Sequence, residues 1–97
     1  MGALMIIQAH ITDLEKFKAY SAKAPALITQ FGGRYRSMRG DNEQLEGPTD
    51  NRKIVVSEWP SKQAALTFWH SDEYAQIKAL RDDAAEIQVY LVELTSD

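Results

Sequence analysis

The first and last apolar segments of this sequence do not alternate regularly between apolar and polar residues. Residues 3–11 predict a strand whose odd positions include Met5 and Ile7, while its even positions include Leu4 and Ile6. Residues 86–94 predict a last strand that is also apolar in both phases. Because a sheet with one wet face alternates apolar and polar residues, both faces of this sheet should be at least partly buried.

A long amphipathic helix should follow the first strand. Thr12, with Glu15 three residues later, has the spacing of a capping box and predicts the helix start. Gly32 and Gly33 predict its end, since glycine accepts the positive φ of a helix terminus. Pro25 lies inside the pattern and predicts a kink or a break near Ala24.

The rest of the chain predicts two more strands, a loop, two short helices and the last strand. The strands cover residues 34–39 and 52–59, and the loop covers 40–51. Ser61 and Ser71 are the expected N-caps of the two helices. The resulting β-α-β-β-α-β order predicts an α+β, ferredoxin-like antiparallel sheet with helices on one face, formed by residues 1–97 as a single domain.

One chain of this length has enough helix to cover only one face of the sheet. A second copy of the chain should therefore cover the other face. We therefore expect a homodimer that forms through the sheet faces. If the even phase is the interface, Ile6 belongs to it. The alternative is that the phase of these short apolar runs is misassigned.

Composition excludes several classes of function. The chain has no cysteine, which excludes disulfides, zinc–thiolate sites and thiol nucleophiles. A net charge of −3 argues against nucleic acid as the main partner. The sequence has no apolar run that could span a membrane and no targeting signal, so a cytoplasmic protein without a membrane partner is expected. No metal or organic cofactor is expected either, since no phosphate-binding glycine loop or evident ligand set occurs.

Scattered motifs together resemble the domain-of-unknown-function family 1330. They are Gly32-Gly33-Arg34, Arg39-Gly40, Glu46-Gly47, Arg52, Glu58-Trp59-Pro60-Ser61, Ala64-Ala65, Trp69, Ser71, Glu73-Tyr74 and Arg81. The resemblance implies the dimeric α/β-barrel superfamily, in which two sheets face each other. That superfamily includes cofactor-free oxygenases, lactone isomerases, haem enzymes and ligand-sensing domains.

Two strand residues are the candidate catalytic groups. His10 lies in the less apolar phase of the first strand and could be a general base, or a strand-end histidine near the surface. Glu58 lies near the end of the third strand and could transfer protons, or form a salt bridge with an arginine. His70 with Glu73 is weaker as a metal site, because Ser71 should start a helix between them.

The arginines of the central hairpin could hold an anion, or form a solvated or interface surface; they are Arg34, Arg36, Arg39 and Arg52. Tyr35, Trp69 and Tyr74 are the candidate ligand-binding residues, in a cleft between the sheet and the helices that also holds His10 and Glu58. The expected function is a small-molecule-binding homodimer, with cofactor-free oxygenase or isomerase activity as its catalytic form. The alternative is a non-catalytic ligand-sensing or protein-interaction module.

Overall fold

The chain folds into a four-stranded antiparallel sheet with helices on one face. The computed structural model describes residues 2–38 and 41–95. Its elements are β1 (Ala3–Ile11), α1 (Leu14–Gln30), β2 (Arg34–Ser37), β3 (Lys53–Trp59), α2 (Lys62–Trp69), α3 (Asp72–Lys78), a 3-10 turn (Ala79–Arg81) and β4 (Ala85–Glu93). The strand order is β2-β3-β1-β4, and each neighbouring pair is antiparallel. The predicted α+β, ferredoxin-like arrangement is confirmed.

The core lies between the helices and the odd positions of the strands. Trp59, Phe68 and Tyr74 are its largest fully buried side chains. The Phe68 ring lies 4.9 Å from the Trp59 ring and 4.4 Å from the Tyr74 ring, between centroids. These aromatic contacts join β3, α2 and α3, because offset and tilted rings pack well at such distances.

The even positions of the strands point away from the helices and form what we call the open face. Its members are Leu4, Ile6, Gln8, His10, Ile54, Val56, Glu58, Glu86, Gln88, Tyr90 and Val92. Ile6 is at its centre, directly opposite Val56 on β3 and Tyr90 on β4. Tyr90 and Val92 are 51% and 44% exposed, so no other part of the described chain covers them fully. The open face therefore combines apolar and polar side chains, and its apolar members Tyr90 and Val92 are in contact with water in the single chain.

The start of α1 differs by one residue from the prediction. Asp13 is the N-cap, and its carboxylate accepts a hydrogen bond from the backbone N–H of Lys16. The backbone N–H groups of Thr12 and Asp13 both donate to the Ala84 carbonyl, at 2.8 and 2.9 Å. Thr12 is wrong as the N-cap because these bonds keep the chain beside β4 for one further residue.

The helix α1 continues through Pro25, so of the predicted kink or break, the break is wrong. A proline inside a helix costs about 3 kcal/mol, and burial on either side of it offsets that cost. Ala24, Leu27 and Ile28 are all buried. The predicted end is confirmed, since Gly32 has a φ of +95° and the Gly33 N–H donates to the Ile28 carbonyl at 2.9 Å.

The remaining boundaries agree with the predictions to within one or two residues. The strand β2 ends at Ser37, with a register shift after Tyr35, so the predicted extent of 34–39 is too long. Arg39 and Gly40 lie outside the described residues. Ser61 and Ser71 are confirmed as N-caps. Each side-chain hydroxyl accepts a hydrogen bond from the backbone N–H three residues later, at 3.0 and 3.1 Å. No helix within 2–38 and 41–95 is long and apolar enough to cross a membrane.

Candidate ligand-binding site

A cavity lies between α1 and the helix-facing side of the sheet. Its volume is about 80 Å³. The described residues that line it are mostly apolar; they are Ile7, Ala9, Ile11, Phe17, Tyr20, Ser21, Ala24, Tyr35, Met38, Lys53, Val55, Arg81 and Ile87. An apolar cavity with a few convergent polar groups is the usual form of a small-molecule site.

The periodicities of the sequence place these residues around the cavity. The strand β1 contributes alternate positions Ile7, Ala9 and Ile11, because successive side chains of a strand point to opposite faces. The helix α1 contributes Phe17, Tyr20, Ser21 and Ala24, which follow the three- and four-residue spacing of one helix face. The cavity therefore lies beside the end of β1, where β3 and β4 begin.

Tyr20 and Arg81 form the polar wall of the cavity, and Tyr74 supports them from behind without lining it. The hydroxyl groups of Tyr20 and Tyr74 share a buried hydrogen bond of 2.8 Å. The Arg81 Nη2 donates to the Tyr74 hydroxyl at 3.5 Å, and the Arg81 guanidinium lies 5.2 Å from the centre of the Tyr20 ring. The Arg81 Nε is buried and has no hydrogen-bond partner among the residues that the structure describes.

The surroundings keep the phenols neutral and the arginine charged. Burial raises the pKa of Tyr20 well above its ordinary value, and the adjacent Tyr74 hydroxyl raises it further. Burial also raises the pKa of Tyr35, to about 12. Burial opposes the charge of Arg81, but the hydrogen bonds and electrostatic interactions with Tyr74 and Tyr20 together outweigh it and raise the pKa of the guanidinium. At neutral pH the site therefore offers hydroxyl donors and one half-buried positive charge.

The structure places two of the three predicted ligand-binding residues at or behind this cavity. Tyr35 lines it directly, and Tyr74 contacts it through Tyr20 and Arg81. Trp69 instead lines a separate depression beside α2, together with Met5 and Leu91. The Trp69 ring is 5.3 Å from the Tyr74 ring, between centroids, so Tyr74 separates the tryptophan from the cavity.

His10 and Glu58 lie on the open face rather than in the helix-side cleft in which the sequence analysis grouped them. Their even strand positions point away from the helices. Glu58 pairs with Leu4, six residues before His10 on β1, which separates the two side chains by about 20 Å. The five predicted site residues thus do not converge on one cavity.

The open-face acid is already paired with arginines. The Glu58 Oε1 lies 3.7 Å from Arg34 Nη2 and 3.4 Å from Arg36 Nε. This is the strand-end salt bridge that the sequence analysis gave as the alternative to proton transfer.

The predicted arginine cluster is divided by these pairings. Arg52 forms a two-pronged contact with Asp50, with Nε 2.9 and 3.0 Å from the two carboxylate oxygens. The Arg52 Nη1 also donates to the Gln88 Oε1 at 2.7 Å. Arg39 lies outside the described residues. The described members of the cluster therefore bind acids of this chain, which supports the alternative of a solvated or interface surface.

Sequence reasoning did not select Tyr20, Lys53 and Arg81 as site residues. Tyr20 is buried in the core, and its ring also borders the cavity. The sequence signal for Lys53 is the alternation of side chains along β3, which places it with Val55 on the helix-facing side of the sheet. Arg81 had no positional signal beyond the resemblance, because its place depends on the 3-10 turn before β4.

Comparison with protein families matches the description "Domain of unknown function (DUF1330)" over residues 2–95. The chain belongs to this family. The DUF1330 match covers nearly every residue, including all of those that line the cavity. Comparison with curated proteins gives no match.

Solved structures with the same fold share little sequence with this DUF1330 chain. A protein of unknown function from Rhodopseudomonas palustris has 17% identity and a TM-score of 0.76, covering 99% of this chain and 84% of its own. SnoaB, a cofactor-independent oxygenase from Streptomyces nogalater, has 9% identity and a TM-score of 0.69, with coverages of 99% and 95%. These likenesses show that this chain has the dimeric α/β-barrel fold.

Proposed function

We propose that this DUF1330 protein acts as a homodimer that binds a small molecule in the cavity beneath α1. The cavity with its wall of Tyr20 and Arg81, supported by Tyr74, is the observation that carries the proposal. It combines an apolar interior with hydroxyl donors and a positive charge, which together can orient a ligand. If the bound molecule is a substrate, the reaction is that of a cofactor-free oxygenase or isomerase. The fold shared with SnoaB supports this by analogy.

The solvent-accessible area of the chain supports the homodimer. The single chain exposes 6627 Å². A folded monomer of 11.0 kDa is expected to expose about 5600 Å², so this chain has an excess of about 1000 Å². A standard interface buries about 800 Å² on each partner. The open face, which includes exposed Tyr90 and Val92, and the exposed 41–51 segment both contribute to the exposed area.

Sedimentation equilibrium tests the dimer directly. The wild-type protein should sediment as a dimer at micromolar concentration, and Ile6→Lys should dissociate it, since Ile6 lies at the centre of the open face. Thr29→Lys is the matched control, because Thr29 is exposed on α1, on the other side of the sheet. A compact wild-type monomer would overturn this part of the proposal.

A non-catalytic binding module is the second candidate function. The described lining of the cavity includes no carboxylate and no imidazole, and these are the groups that most often act as general bases. Assays against a panel of small phenols, lactones and acids, with oxygen consumption and product formation measured, separate the two. Turnover that Arg81→Gln abolishes supports an enzyme, whereas binding without turnover supports a sensing module.

A further inference from the structure

The cavity wall carries two positive charges at one end. Lys53 is the first residue of β3 and pairs with Ala9, close to the end of β1. Arg81 precedes β4, whose first residue Ala85 pairs with Ile11. Both cations therefore lie at the edge of the sheet where β1 ends, while the opposite wall is formed by apolar side chains of α1 and the strands.

Neither cation is neutralised by an acid within the described part of the chain. Residues 2–38 and 41–95 contain four ion pairs within 4.0 Å, and none of them includes Lys53 or Arg81. The described partners of the Arg81 guanidinium are the side chains of Tyr74 and Tyr20, and neither is an acid. Arg81 is half-buried whereas Lys53 is exposed, and a half-buried charge is normally paired because burial without a partner costs free energy.

We propose that the ligand of this cavity is a small apolar molecule with one anionic oxygen group, of which a monocarboxylate is the simplest case. The inference rests on the proposed ligand site and specifies its chemical class. The anionic group lies at the Lys53 and Arg81 end, and the apolar body lies against side chains such as Phe17 and Ile87. A charge-assisted contact to arginine or lysine is about twice as strong as one between neutral groups, so the acid is preferred over its neutral amide.

Matched pairs of acid and amide test this preference. Binding of benzoate and benzamide, and of isobutyrate and isobutyramide, is followed by ¹H–¹⁵N chemical-shift changes of the dimer at constant pH and ionic strength. Each acid should bind about tenfold more tightly than its amide, which corresponds to about 1.4 kcal/mol. The shift changes should centre on α1 and the first residues of β4. Equal affinity for acid and amide would overturn the inference.

Three variants assign the preference to the two cations. Lys53→Gln should weaken benzoate binding several-fold and leave benzamide binding unchanged, and Arg81→Gln should weaken benzoate binding further. Lys23→Gln, which removes an exposed cation on α1 away from the cavity lining, is the control and should change neither affinity. Circular dichroism verifies the fold of Arg81→Gln. If Arg81→Gln does not fold, Lys53→Gln alone still tests whether a cation of the cavity favours benzoate over benzamide.

The outcomes distinguish a failure of the proposed ligand class from a failure of the proposed binding site. Amides that bind in the cavity as well as acids would refute the anionic ligand class while leaving the binding site in place. Acids whose affinity is unaffected by Lys53→Gln and by a folded Arg81→Gln would refute the role of the two cations. Failure of all four probes to perturb any cavity residue would count against the binding site itself.

Discussion

Replacing Gly33 by alanine should destabilise the protein, because the added methyl group would overlap the Trp59 indole. A Cβ atom at position 33 would lie 2.8 Å from three indole carbons, Cε2, Cζ2 and Cη2. Carbon atoms in favourable contact lie about 3.5–4.0 Å apart, so the ring would have to move by about 1 Å. Gly33 itself is buried at the end of α1, which leaves the backbone little room to yield.

The Trp59 ring is fixed on its other sides. It is 1% exposed, its Nε1 donates to the buried Ser57 Oγ at 3.0 Å, and it packs against Phe68. Overpacking a core of this kind costs about 1–3 kcal/mol. Loss of the indole hydrogen bond would add about 1 kcal/mol. We therefore expect Gly33→Ala to lower the free energy of unfolding by about 2–4 kcal/mol.

Urea denaturation at one fixed protein concentration, followed by far-ultraviolet circular dichroism, measures this loss. A double-mutant cycle with Trp59→Phe isolates the cause, because phenylalanine is smaller than the indole. Gly33→Ala should cost at least about 1 kcal/mol less in the Trp59→Phe background, since overpacking is then relieved. Gly32→Ala is the matched control, because its φ of +95° causes strain while its nearest contact is an ordinary 3.5 Å, from Pro60. Equal costs of Gly33→Ala in both backgrounds would refute the steric argument.

Three further predictions concern a helix cap and two titrating groups. Ser71→Ala should lower the free energy of unfolding by about 1 kcal/mol through loss of the cap on α3, as measured by urea denaturation, whereas exposed Thr29→Ala should have little effect. The Asp50 carboxyl should titrate near a pKa of about 2 in a carbon-detected NMR titration, because hydrogen bonds from Arg52 favour its ionised form. The stabilising effect of the ionised Asp50 is then present above pH 3.8 and is lost as the pH falls to about 2. Arg52→Gln should remove the shift in the Asp50 pKa. The Tyr35 pKa of about 12 means that its contribution to stability is present below pH 10.0 and is lost as the pH rises towards about 12, so urea midpoints of Tyr35→Phe should fall less over that range.

The fold could be predicted because its signals are local and mutually consistent. The capping serines, the glycine pair after α1 and the apolar strands each indicate one boundary of the same order of elements. The errors occurred where long-range contacts decide between local options. Thr12 and Asp13 are both competent caps, and hydrogen bonds to the Ala84 carbonyl select Asp13. Pro25 disfavours a continuous helix locally, and burial of Ala24 and Leu27 outweighs that preference.

The candidate site was less predictable because it combines three distant segments. The strand phases already place His10 and Glu58 with Ile6 on the face away from the helices, so that part of the arrangement could have been read from the sequence. The meeting of Tyr20 and Arg81 could not, since it depends on how the 3-10 turn packs against α1. The apolar side chains of the open face were predictable, whereas the salt bridges of Glu58 depend on the register between β2 and β3.

The most direct test of the central claim is a crystal structure of the dimer grown with saturating benzoate. The account predicts electron density for benzoate between α1 and the sheet, with its ring against Phe17 and Ile87 and its carboxylate towards Lys53 and Arg81. Benzoate bound only at other surfaces, with the cavity occupied by protein side chains or water, would contradict the claim that this cavity is the ligand site.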